Sequence, residues 1–260
     1  SSELSDLRPS IIPNLINICN ENIKRGFYNL SLFEVGPIFK GDNYEDQYNV
    51  VTGIRCGNKT KKNWKYAEVK FDFYDIKSDI IALLNILEFP VSRLKIYSEA
   101  PDYFHPGRSA LFKLGNVIIA SFGQINPVCL DAKVKKTEFL AFEIYLDNIP
   151  APKRKVLSKS LLKLNYLQSL SRDFSFLINK ELNVEDLINQ IKSVDKILIQ
   201  KISVFDVYQG NNIPKDKKSV SLSIVIQPAD KSLTDDDLEK LSSKIIDRVF
   251  KTFAAEIRSH

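Results

Sequence analysis

The chain has 260 residues and a mass of 29.7 kDa, is 44% apolar and 27% charged, and carries a formal net charge of +5. That is room for one large or two modest folded domains and excludes a disordered chain. There is no apolar run of about 18 residues to span a membrane, and SSELSDLRPS has neither the basic start nor the apolar stretch of a secretory signal.

In chain order, Leu7 to Ile23 places Leu15, Ile16, Ile18, Cys19 and Ile23 at helical spacing, with a start near Pro13 and Gly26 closing it. LSLFEVGPIF (30–39) and YNVVTGIRC (48–56) read as strands, and GNKTKKNWK after them as a polar, Lys-rich loop holding the only Trp. Ile76, Ile80, Leu83, Leu84 and Leu87 form the apolar stripe of a helix. Short strands follow at 94–98, 109–114, 117–122 and 138–146, between Gly and Pro turns. This half predicts an antiparallel sheet backed by helices.

Further along, RDFSFLI (172–178) is a strand with Phe174 and Phe176 on one face. Asn183 is placed to cap a helix with Val184, Leu187, Ile188 and Ile191 as its stripe. ILIQKISVFDVY (197–208) and SVSLSIVIQ (219–227) are strands joined by the QGNNIPKDKK turn. Thr234 caps a last helix, with Asp235, Asp236 and Asp237 at its positive end, and AEIRS ends as a strand. The order βαββαβ is that of a ferredoxin-like sandwich.

The fold class is therefore α+β. The charge marks the boundary: residues 1–150 carry 18 basic and 18 acidic groups, 161–260 carry 15 and 14, and APKRKVLSKS between them carries four basic groups and no acid. We read 1–150 and 164–260 as two domains and 151–163 as a basic linker. Three cysteines (Cys19, Cys56, Cys129) without a CxxC pair argue for a reducing compartment and against disulfides. With two histidines only, His105 and His260, no metal site is expected, and a catalytic triad would rest on His105 alone. The missing initiator Met points to a processed chain or a part cut from something longer.

LRPSIIPNL (7–15), LFEVGPIF (32–39), FHPGRSA (104–110), SRDFSF (171–176), FDVYQGNNIPKDKKSVSLSIVIQ (205–227) and LTDDDL (233–238) occur in this order. Together they resemble the C-terminal third of the β subunit of bacterial-type phenylalanine–tRNA ligase, over nearly the whole chain. One departure is YLQSLSRD, which lacks the family's Pro before the Arg-Asp pair.

The resemblance implies that the first domain is a class II synthetase-like core without catalytic residues, and that the second binds the anticodon stem-loop of tRNA-Phe. By the same resemblance Lys40 stands where a class II enzyme has a phosphate-binding Arg, and SFGQINP (121–127) brings no late Arg. A lysine is a point donor and cannot replace a bidentate guanidinium, so this site is expected to be inactive, at a cost on the order of 10²–10³ per lost donor. ATP and Mg²⁺ are then expected in the full complex, bound elsewhere, with none in this part. The implied partners are the α subunit, in a heterotetramer of two α and two β subunits, and tRNA-Phe; no membrane is expected and the location is cytoplasmic.

The candidate tRNA-contacting residues are Arg172, Asp173, Tyr208, Lys215, Lys217, Lys218 and Lys231, placed at strand ends or in turns. Tyr208, beside Gly210, is the stacking candidate, whereas Phe174, Phe176 and Phe205 are expected in the core. Arg108 of HPGRSA is expected to pair with a carboxylate, at a turn leading into the strand at 109–114. Glu34 and Glu143 are expected in ion pairs and not as a catalytic pair. The competing readings are a stand-alone ligase and a protein-interaction scaffold without RNA contact.

Overall fold

The computed structural model describes residues 6–130, 137–151, 165–210, 212–229 and 231–258. The chain divides into two compact units, Ser1–Leu157 and Ser158–His260. The basic linker expected at 151–163 lies, beyond residue 151, outside the described residues.

In the first unit helix α1 (Ile12–Lys24) is followed by β1 (Leu30–Phe39), β2 (Gln47–Cys56) and the small hairpin β3 (Asn58–Thr60) and β4 (Val69–Lys70). Then come α2 (Phe73–Ile86), β5 (Lys95–Tyr97), β6 (Phe104–Leu114), β7 (Val117–Ile125) and β8 (Phe139–Tyr145). Six of the strands form one antiparallel sheet in the order β1-β2-β8-β7-β6-β5.

All seven residues of β8 are buried, because a helix covers each face of the sheet. Phe139 and Ala141 turn towards Ile12, Leu15 and Cys19 of α1, while Leu140, Phe142 and Ile144 turn towards Ile76, Ile80 and Leu84 of α2. This is the period-2 alternation of a strand meeting two apolar helix stripes. The helix ends follow local chemistry. Pro13 lies in the first turn of α1, and Gly26, at φ +90°, takes the left-handed conformation just past its end. Asp72 caps α2, accepting from the amides of Tyr74 and Asp75.

The second unit runs β9 (Leu170–Asn179), α3 (Val184–Val194), β10 (Ile199–Tyr208), β11 (Lys217–Ile226), α4 (Asp235–Phe253) and β12 (Glu256–Ile257). Its sheet order is β10-β11-β9-β12, all antiparallel, which is the ferredoxin-like arrangement. One sheet face packs Phe176, Ile178, Val220, Leu222, Ile224 and Ile226 against Leu187 and Ile191 of α3 and Leu241, Ile245 and Val249 of α4. Among the described residues, no helix of this unit covers the other face.

Thr234 caps α4 in a capping box with Asp237. Four expectations change. Asn183 does sit at the start of α3, but its side chain caps nothing. Residues expected as a plain loop after β2 include β3, which pairs with β4. The HPGR segment lies inside β6, as a bulge between the pairs Phe104↔Ile125 and Ser109↔Gly123. Phe205 is not core: 60% of it is exposed. The reason is a β-bulge, since Val204 pairs with Leu222 and Asp206 with Ser221, leaving Phe205 as the extra residue.

Candidate nucleic-acid interface

The uncovered face of the second sheet is set by strand parity. Because Val220, Leu222 and Ile224 turn inward, Ser219, Ser221 and Ser223 of β11 turn outward. On β9 the outward set is Ser171, Asp173, Ser175 and Leu177, which pair in register with Val225, Ser223, Ser221 and Ser219. Serine hydroxyls bridge the strands at 2.8 Å, Ser171 to Ser223 and Ser175 to Ser221. The result is a floor of short polar side chains in the middle of the sheet.

Two long side chains close over that floor. Tyr208, at the end of β10 and paired with Ser219, is 40% exposed, and the Arg258 guanidinium carbon lies 5.6 Å from its ring centroid. Arg258 follows β12, where its amide donates to the Ser175 carbonyl at 2.9 Å. It therefore reaches Tyr208 across β9 and β11, whose outward side chains there are Ser175 and Leu177 on β9 and Ser219 and Ser221 on β11. Ser219 is only 1% exposed although it faces away from the helices, which fits side chains lying across it. Gly210 belongs to the same construction: a Cβ there would come within 2.1 Å of the Tyr208 hydroxyl. An aromatic ring beside a guanidinium, over a serine-rich stretch of the sheet, offers a stacking plane and a cation to an unpaired base and its phosphate.

The seven residues expected from sequence do not form one patch. Tyr208, Lys215, Lys217 and Lys218 gather at one end of the sheet, and Lys217 Nζ is 3.8 Å from Glu256 Oε1. Arg172 and Asp173 pair with Ile224 and Ser223, six residues along β11 from Lys217, about 20 Å away at strand rise. Those two also point to opposite faces, Asp173 to the open one and Arg172 to the margin of the helix-covered one. Lys231 precedes α4, at the end of the sheet away from Tyr208. Sequence reasoning missed Arg258 and the serines. The alternating SVSLS of β11 was the available signal for the floor, but nothing local in AEIRS marks Arg258 as a partner of Tyr208.

The first unit holds a separate cavity of about 720 Å³, between the start of α1 and the ends of β7 and β8. Glu143, 1% exposed, sits in its wall. Glu143 Oε1 accepts from the Ser10 hydroxyl at 2.6 Å and the Ile11 amide at 3.3 Å, and Oε2 accepts from the Tyr103 hydroxyl at 3.2 Å. Burial and the Glu143 charge push the Tyr145 phenol up to about 12 and raise that of Tyr103 as well. Lys40 Nζ lies over the rings of Tyr145 and Tyr48, at 4.6 and 5.1 Å.

These residues do not fit ATP with Mg²⁺. Among the described lining residues the one carboxylate is already held by three donors, the one cation rests on aromatic rings, and there is no arginine. Nor do the described residues contain a group of three metal-ligating side chains. Of the two glutamates expected in ion pairs, Glu34 is in one, with Arg8 at 2.5 Å, whereas Glu143 is held by neutral donors instead and makes no ion pair within 4 Å among the described residues. Arg108 does meet a carboxylate, Glu138 at 3.5 Å, and donates to Gln124 at 2.8 Å.

The comparisons with known proteins agree with this division. Residues 1–146 match the family model described as the phenylalanyl tRNA synthetase beta chain CLM domain, and residues 166–258 match the ferredoxin-fold anticodon binding domain. The phenylalanine–tRNA ligase β subunit of Rhodospirillum rubrum is 37% identical over 260 residues, covering 100% of this chain and 32% of the relative. That of Bradyrhizobium diazoefficiens is 36% identical, covering 100% and 33%. The chain thus spans about a third of the length of the curated relatives it matches.

Proposed function

Because the chain belongs to the phenylalanine–tRNA ligase β subunit family, we propose that its second unit holds the anticodon stem-loop of tRNA-Phe and its first unit is a non-catalytic core. The observation that carries this is the Tyr208–Arg258 pair over the serine floor. Tyr208 gives a loop base a stacking plane, Arg258 fixes the ring from one side, and Lys215 and Lys217 take phosphates at the same end, with Lys218 adding charge there from the margin of the helix-covered face, to which its strand parity turns it. Arg172, Asp173 and Lys231 belong to the far end and contribute less.

The first unit performs no chemistry of its own. It resembles a class II core in which Glu143 and Lys40 hold the fold together. Activity belongs to the full ligase, in which an α subunit supplies the ATP and Mg²⁺ site within a cytoplasmic heterotetramer of two α and two β subunits. The family and the anticodon-binding match support this reading.

The test is tRNA-Phe binding to the 260-residue chain, followed by Tyr208→Ala and Arg258→Ala. Each change is expected to weaken binding by about 1–3 kcal/mol without altering the circular dichroism. Unchanged affinity in both, together with unchanged affinity on charge reversal of Lys217 and Lys218, would favour a protein-interaction scaffold. Formation of Phe-AMP by this chain alone would overturn the non-catalytic core.

A further inference from the structure

We propose that the β3–β4 hairpin of the first unit is a second RNA contact, stacking an unpaired base on Trp64 and pairing its phosphates with the surrounding lysines. It goes beyond the anticodon site, since it lies in the other unit and uses none of its residues.

The hairpin tip is closed from within. The Asn63 amide donates to the Tyr66 carbonyl at 3.0 Å, and Asn63 Oδ1 accepts from the amides of Lys65 and Tyr66 at 2.9 Å each. This is an Asx-type turn, in which the Asn side chain caps the backbone amides that follow it. Trp64 is 95% exposed, and every residue from 61 to 70 is exposed. A Trp normally buries 150–250 Å²; here a hydrogen-bonded turn presents the whole indole to solvent, among lysines.

The charges around it are one-sided. Within residues 58–70 the chain carries Lys59, Lys61, Lys62, Lys65 and Lys70 against one acid, Glu68. Lys59 is engaged by Asp75 at 2.6 Å. The other four make no ion pair within 4 Å among the described residues, and Lys65 Nζ lies 5.3 Å from the Tyr66 ring centroid.

Aromatic faces interleaved with uncompensated cations suit a nucleic-acid strand, which presents π-faces and phosphates together. A protein partner is the poorer fit, because the buried centres of protein interfaces are depleted in lysine. Both single-strand stacking and phosphate pairing tolerate any sequence, so the site takes unpaired RNA as a class.

Trp64 is the only Trp in the chain, so indole fluorescence of the unaltered 260-residue protein reports on this hairpin alone. Titration with a short single-stranded oligoadenylate at low salt is expected to quench it saturably, with the midpoint rising steeply as salt is added. By anisotropy of labelled oligoadenylate, Trp64→Ala and the double reversal Lys61→Glu, Lys62→Glu should each weaken binding on the order of tenfold. The quenching should survive in the double variant Tyr208→Ala, Arg258→Ala, which separates this contact from the anticodon site.

Oligoadenylate or tRNA binding seen by anisotropy with no change in Trp64 emission overturns the proposal. So does emission that ignores RNA and shifts to the blue only when a ligase α subunit is added, which would make the hairpin a protein contact.

Discussion

Glu143 shows how much one buried carboxylate can hold. It ties the turn before α1 to the centre of the sheet through Ser10 and Ile11, and it receives the Tyr103 hydroxyl. Glu143→Leu leaves all three donors unpaired in an apolar wall, at about 1–3 kcal/mol each. A loss of about 3 kcal/mol or more in urea unfolding is expected, with Glu143→Gln costing less. Tyr145 adds a pH dependence. Below pH 10 its phenol is neutral in folded and unfolded chains and has no effect. Between pH 10 and about 12 the unfolded chain has lost a proton that the folded chain keeps, so stability falls as pH rises. Tyr145→Phe should remove on the order of 2 kcal/mol of that fall; an unchanged alkaline slope would contradict it. Neither residue was readable as a structural centre from sequence, where Glu143 was one acid among many and its donors lie up to 133 positions away.

At the scale of elements, what was legible had local causes. The stripe of α2 as far as Leu84, the Thr234 cap and the alternation in β11 are each written within a few residues and formed where expected; Leu87, expected to continue the α2 stripe, lies just past the end of the helix and is exposed. The bulge at Phe205 was not legible. It depends on how β10 registers against β11, a contact between strands, and it turned an expected core residue into an exposed one. The two-ended scatter of the candidate lysines has the same origin, since proximity on a sheet is set by pairing and not by position in the chain. The junction between α4 and β12 can be tested directly. Ala254 ends α4 in the left-handed region, at φ +50°, which a residue with a Cβ adopts at a cost of about 1–2 kcal/mol. Ala254→Gly should raise the melting temperature of the second unit by a few degrees; a lowered value would mean that the Ala254 methyl packing outweighs the strain.

For the whole molecule, two units with separate cores predict two unfolding steps. Glu143→Leu should move only one transition in a urea titration, and Thr234→Ala only the other, by about 1 kcal/mol. A single transition moved by both would show that the units unfold together. Electrostatics follow the same division. The second unit is almost neutral, so the hold on tRNA proposed for it rests on few placed cations. With Lys215, Lys217, Lys218 and Arg258 as phosphate contacts, the dependence of binding on salt should have a slope of about 3 on logarithmic axes. A slope near 10 would require a far more extensive basic surface than this unit presents.

The position of Arg258 has a further consequence, for biosynthesis. Of the strands in the second sheet, β12 is made last, and it is the one that seats Arg258 opposite Tyr208. Domains fold as they emerge from the ribosome, earlier segments first. The strands that carry Tyr208 and the serine floor can pair while α4 is still being synthesised, but the face proposed to bind RNA stays incomplete until β12 joins the sheet edge. A nascent β subunit would therefore be unable to capture tRNA prematurely through this face, and competence for RNA would coincide with the completion of the unit.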